Sequence, residues 1–249
     1  MMLVPICLLL GALATVLSGI AGEGETAKKF TLVYNINNAG YIDVCGCKHK
    51  EVRQGSMTRR ASFLKQLKAT GRNLLLLDGG SAFFPINKRL KPTEVKEAVR
   101  KAELITESYN RMGYSALAIG PYDLITGLDN LLKLEKKARF QMLSANFVDK
   151  NGALLFKPHA IFEAGGVRVG VIGLTLETIP EPILEKRAPG CKILDPFTAA
   201  VKSYETLRPK TDIIIALSHL KEDTNFSLIE KLKDLEIIID PYIQQGSHK

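Results

Sequence analysis

The sequence contains no tryptophan, and its seven tyrosines and ten phenylalanines are thinly spread. No aromatic stripe of the kind that stacks nucleic-acid bases stands out. Cys-x-x-Cys-His does not occur, which excludes covalent haem attachment. Charge is missing from the first 22 residues, while the whole chain carries a formal net charge of +8. A basic balance favours acidic partners. The lysines at 65, 68, 96, 101, 133, 136 and 137 nevertheless fall on expected helix faces, where they read as solvated surface. No nucleic-acid partner is expected. A composition of 46% hydrophobic and 24% charged residues is that of a folded globular protein.

The uncharged start is itself a signal. Leu8-Leu9-Leu10 and Ala14-Thr15-Val16-Leu17 form an apolar run, followed by the small residues Ser18, Gly19, Ala21 and Gly22 and then by Glu23, Glu25, Lys28 and Lys29. Residues 1–22 are therefore read as a signal peptide, cleaved near Ala21 or Gly22, and the protein as exported to the periplasm or extracellular space. The competing reading is an uncleaved membrane anchor, because no basic residue precedes the apolar run. Cys7 lies too early to be a lipoprotein cysteine. Residues 23–249 are then read as one domain.

Along that domain, short apolar runs alternate with helical stretches. Strands are predicted at 30–34, 74–77, 116–119, 140–145, 159–164, 167–174, 212–217 and 235–239, and helices at 57–70, 93–112, 124–137, 196–207 and 225–233. Gly165-Gly166 marks a hairpin between two of the strands. This alternation predicts an α/β fold with helices on both faces of a mostly parallel layered sheet. Ligands of such sheets bind at the carboxyl ends of the strands. Those ends fall at 35–40, 78–81, 120–123, 144–146, 218–219 and from 240 onward.

The motifs at these ends carry a resemblance. The chain holds LLLLDGG at 74–80, LSANF at 143–147, VGVIGLT at 169–175 and IIIALSH at 213–219. In this order they resemble the 5′-nucleotidase branch of the calcineurin-like metallophosphoesterases, across residues 30 to about 240. The resemblance implies a pocket at the strand ends in which Asn37, Ser81 and Asn146 face a small phosphorylated or nucleotide-like ligand. It also implies two divalent metal ions held by Asp, His and Asn side chains, which lower the pKa of a water and neutralise the phosphate.

Most of those metal-binding side chains are replaced. The family's Asp-x-His falls on Asn37-Asn38-Ala39, its bridging aspartate on Ser81, and its Gly-Asn-His-Glu on Gly120-Pro121-Tyr122-Asp123. His219 of Leu217-Ser218-His219 matches. The closing Gly-His-x-His falls on Asp240-Pro241-Tyr242-Ile243, unless a short insertion makes His248 its remnant. Metal ligands are thus limited to His219, Asp123 and His248, too few for a conventional dinuclear site.

In place of the first motif stands Cys45-Gly46-Cys47, resembling a divergent set of nucleotidase-like proteins with Cys-Gly-Cys or a selenocysteine variant here. Lys48, His49, Lys50, Arg53, Arg59 and Arg60 make its surroundings basic, which lowers a thiol's pKa. A Cys-x-Cys pair suits thiol redox chemistry or soft-metal capture, with His49 or Cys191 as a further ligand. A structural disulfide from Cys191 to Cys45 or Cys47 is the alternative.

Three functions follow. The first is an exported phosphoesterase-like protein without hydrolase activity, working through Cys45 and Cys47. The second is a ligand-binding or scaffold subunit. The third is a phosphoester or nucleotide hydrolase with a rebuilt metal site, using His219, Asp78, Asp123 and a thiolate. Asp78 is otherwise expected to hold a loop, and Asp123 to cap a helix starting near Leu124. The chain stops about ten residues after its last expected strand. It is therefore expected to be either part of a longer protein or an abbreviated fold whose exposed sheet edge invites a protein partner.

Overall fold

The computed structural model describes residues 28–43, 55–86, 90–175, 179 and 181–241. Residues 1–22, read above as a signal peptide, and Cys45, Cys47, His49 and His248 lie outside the described residues.

The first half of the chain is a run of right-sized βα units. Strands β1 (Thr31–Asn35), β2 (Leu74–Asp78), β3 (Ala116–Ala118) and β4 (Gln141–Leu143) pair in parallel in that order. Helices α1 (Met57–Ala69), α2 (Pro92–Met112) and α3 (Leu128–Lys137) make the crossovers. A strand order that follows the chain, with crossovers of one hand, places all three helices on one face. After a short pairing strand β5 (Phe147–Val148), β6 (His159–Ala164) and β7 (Val167–Leu174) form an antiparallel hairpin. Helix α4 (Glu181–Arg187) and strand β8 (Lys192–Ile193), which pairs with β5, lead into α5 (Pro196–Leu207). Strand β9 (Ile213–Ser218), helix α6 (Glu222–Lys231) and strand β10 (Ile237–Ile239) complete a second sheet in the order β10-β9-β7-β6.

The layers of the expected sheet core are two four-stranded sheets facing each other. Leu75 and Leu77 of β2 pack with Val169, Val171, Ile215 and Leu217 of the second sheet. Their alternates, Leu74 and Leu76, pack with Leu64 of α1 and Ile105 and Met112 of α2. On the other side, Ile172, Leu174, Ile214 and Ala216 meet Leu207 of α5 and Leu228 of α6. A strand buried on both faces reads as one continuous apolar run whether its second face meets helices or another sheet. The sequence pattern does not distinguish the two.

One predicted helix is also redrawn. Residues 124–137 divide into a 3-10 turn at Pro121–Leu124 and helix α3 from Leu128, separated by Gly127 at φ 94°. That backbone angle is open to glycine and costly for other residues. Asp123 consequently lies inside the short turn and does not cap α3.

Candidate strand-end site

Both sheets direct their parallel strands toward the same end of the molecule, and the loops leaving those strands interlock. Asn37 N donates to Gly80 O at 2.9 Å and Ala39 N to Ser81 O at 3.0 Å, which joins the ends of β1 and β2. Ala145 N donates to Gly173 O at 2.8 Å, joining the first sheet to the second.

The two most specific motifs form the stitch between the sheets. Asn146 accepts from Thr175 N at 2.9 Å and donates to Thr175 O at 2.8 Å and Leu194 O at 3.2 Å. The Thr175 hydroxyl donates to Ile119 O at 2.9 Å and, having spent its proton, accepts from the Ser144 hydroxyl at 2.7 Å. Ser144, Asn146 and Thr175 are fully buried. The amide of Asn146 is thus committed to the protein's own backbone. A role for it toward a bound ligand has no free donor to rest on.

Asp123 ties down the second strand end. Its Oδ2 accepts from Ser81 N and from Gly120 N, each at 2.9 Å, and its Oδ1 accepts from Phe83 N at 3.1 Å. Complete burial pushes its carboxyl up to about 7, against these N–H groups, which favour the charged form.

His219 ends β9 and is buried, with its backbone N donating to Leu174 O at 3.1 Å. Its ring is hydrogen-bonded to the Gly79 backbone, and its Nε2 has no partner. The bonded nitrogen is therefore Nδ1, donating to a carbonyl, which leaves the Nε2 lone pair free. Burial lowers this histidine to about 4, so the ring is neutral at physiological pH. Ser81, at φ 53°, holds its own hydroxyl buried without a partner. Space around these two groups is tight. A Cβ on either Gly80 or Gly120 would lie 2.7 Å from His219 Nε2, and one on Gly120 would also overlap Ser81.

Asp78 faces the other way, into the helix layer. Its Oδ2 accepts from Tyr109 Oη at 2.5 Å and Asn35 Nδ2 at 2.6 Å, and its Oδ1 from Gly80 N at 2.7 Å. The Arg60 guanidinium donates to Tyr109 Oη at 3.0 Å, to Tyr114 Oη at 3.3 Å and to Asn38 Oδ1 at 2.9 Å. Tyr114 Oη donates to Asn35 Oδ1. The rings of Tyr109 and Tyr114 stack at 3.9 Å between centroids. Burial raises Asp78 to about 6, although Tyr109, Gly80, Asn35 and Arg60 all favour its charge. Sequence reasoning missed Arg60, Tyr109 and Tyr114 as partners of Asp78. They lie in α1, in α2 and in the loop after α2, and the one available signal was an arginine set among the apolar positions of α1.

The described donors do not fit a pair of divalent cations. Asn37, at φ 55°, is half-buried, Ser81 offers a hydroxyl where a bridging carboxylate is needed, and the oxygens of Asp123 already accept three backbone hydrogen bonds. Among the described residues, no three or more His, Cys, Asp or Glu side chains gather in a metal-binding arrangement. Cys191 is a half-buried free thiol, raised by burial and by Asp149 and Glu185, which disfavours its reactive thiolate. Among the described residues, no helix is long and apolar enough to cross a membrane.

Comparison with known proteins agrees with this fold. No family model matches the chain. It is 30% identical to a 5′-nucleotidase of Vibrio cholerae over 205 residues, covering 80% of this chain and 35% of that protein. A 5′-nucleotidase precursor from Thermus thermophilus superposes with a TM-score of 0.71 at 26% identity, covering 86% of this chain and 41% of the other. The calcineurin-like phosphoesterase YfkN from Bacillus subtilis shares the fold, with a TM-score of 0.67 at 22% identity over 85% of this chain and 71% of the other. The chain spans about a third of the length of the curated relative it matches.

Proposed function

We infer that this chain, a relative of the 5′-nucleotidases with the fold of the calcineurin-like phosphoesterases, is an exported protein that has given up two-metal phosphoester hydrolysis. In this reading its chemistry belongs to the thiols of Cys45 and Cys47. The observation that carries the reading is the filling of the strand ends by the chain itself. Asp123 is held by three backbone N–H groups, and Gly80, Gly120 and Ser81 close around His219. Two-metal catalysis needs a bridging anion and room for water and phosphate between the cations. These residues supply neither.

Cys45 and Cys47 lie outside the described residues, and their assignment rests on sequence. Described residues on either side of the segment that carries them are joined by Met57 N, which donates to Ile42 O at 2.9 Å. Neighbouring Lys48, His49 and Lys50 favour a thiolate. In a redox cycle the Cys45 and Cys47 thiols close to a disulfide, and two electrons and two protons pass to the disulfide of a partner, which opens to two thiols.

Elemental analysis of the purified mature protein, with nucleotide and phosphodiester hydrolysis measured alongside, tests the reading. The expected result is well under one equivalent of divalent metal, no chelator-sensitive turnover, and a thiol pair titrating below about pH 8. Two equivalents of metal with turnover abolished by chelator would sink it.

A specific observation favours a second reading, a hydrolase with a rebuilt site. His219 donates from Nδ1 to a carbonyl and presents a bare Nε2, the tautomer of a metal-ligating histidine. The Ser81 hydroxyl nearby is also unpartnered. The name of the Vibrio cholerae relative makes nucleotides the first substrates to test.

A further inference from the structure

A cavity of about 410 Å³ lies between α5 and the segment from β5 to the start of β6. None of Asp78, Ser81, Asp123 or His219 lines it. Its volume falls within the ~300–1,000 Å³ typical of small-molecule sites. Val148, Leu154, Pro158 and Leu194 supply apolar walls, and Leu154 and Leu194 are exposed by 43% and 45%. Covering these two leucines would remove apolar surface from water.

The walls are held in place without a ligand. Asp149 Oδ1 accepts from Asn151 N at 2.8 Å and from Ala153 N at 2.9 Å, which fixes the turn carrying Leu154. On the opposite wall, Leu194 N donates to Asn146 O at 2.7 Å while its carbonyl accepts from the Asn146 side chain. A site already formed loses little ordering entropy on binding.

The polar groups around the cavity have an uneven charge. Asp195 caps α5, accepting from Thr198 N at 2.8 Å and from the Thr198 hydroxyl at 2.5 Å, so its carboxylate is engaged. Lys202, two turns further along the same helix, is exposed and has no ion-pair partner among the described residues. His159, at the start of β6, keeps a buried Nδ1 without a partner. A neutral imidazole can place its proton on that nitrogen and donate to an anion. Burial, together with the charge of Lys210, holds this histidine below its ordinary value, which keeps it neutral at physiological pH.

We propose that this cavity binds a small amphipathic carboxylate, its apolar tail against Val148, Leu154, Pro158 and Leu194 and its head toward Lys202 and His159. This assignment is independent of the strand ends and of the thiols. Titration of the full chain with octanoate, followed by calorimetry, tests it, with octanol as the neutral control. Two variants accompany the wild type: Lys202→Glu, at an exposed position, and Ala199→Phe, which fills the cavity from α5. Circular dichroism confirms that each is folded. Saturable binding is expected, weakened at least tenfold by K202E and for octanol, and lost in A199F. No saturable binding at millimolar octanoate overturns the proposal, as does binding that A199F leaves intact. Equal affinity for octanol, or for K202E, overturns the carboxylate assignment.

Discussion

Asp78 shows how a single buried side chain can set the pH response of the fold. Its carboxyl has no exposed surface and is raised from 3.8 to about 6, chiefly by burial. A raised folded-state value means that the folded protein binds a proton more tightly than the unfolded chain does. The stability contribution is full below pH 3.8 and is lost as pH rises to about 6. Asp78→Asn removes that titration, and the fall in unfolding free energy across this window should become shallower in urea melts taken from pH 4 to 7. The substitution also turns an amide N–H₂ toward either Gly80 N or the Tyr109 hydroxyl, both of which donate to Asp78. A buried donor left unmatched costs about 1–3 kcal/mol, so the variant should be less stable at every pH. Equal slopes for the two proteins would refute this account of Asp78.

At the scale of elements, the stitch between β4 and β7 is built of buried polar bonds. Asn146→Ala strands Thr175 N, Thr175 O and Leu194 O. At about 1–3 kcal/mol for each unmatched buried group, the variant should lose roughly 3 kcal/mol or more. A loss under about 1 kcal/mol would show that the bonds are dispensable. Legibility in the sequence also divides at this scale. Leu74 to Leu77, Val169 to Leu174 and Ile213 to Leu217 are apolar runs broken only by glycine, and each lies in a strand. Helix α2 runs from Pro92 to Met112, within one residue of the expected 93–112, and Gly113 caps its end. The two-residue strands β5 and β8 and the seven-residue α4 are too short to show a period. Gly127 divides a stretch whose apolar spacing is helical throughout, because spacing reports a buried face and not the backbone angle at one residue. The departures from the family's motifs were legible in the sequence; the use made of the residues there was not, since Asp123 reaches back across 42 residues to Ser81 N.

For the molecule as a whole, two sheets pressed face to face with helices outside give a core closed by apolar packing. Leu77, Leu117, Leu143, Val169 and Leu217 are all fully buried. Anything that binds the folded state alone stabilises it, by about 2.7 kcal/mol at a hundred times its dissociation constant. Exhaustive dialysis against a chelator should therefore leave the melting midpoint within about 2 °C of its starting value, given the shift of ~2–4 °C per kcal/mol for a protein this size. A fall of ten degrees would mean that a cation is part of the fold. The close packing of Gly80, Gly120 and Ser81 on His219 also limits what Ser81 can become. An aspartate placed there would bury a second anion beside Asp123, a costly state. A charge at that position therefore calls for compensating changes in the residues around it.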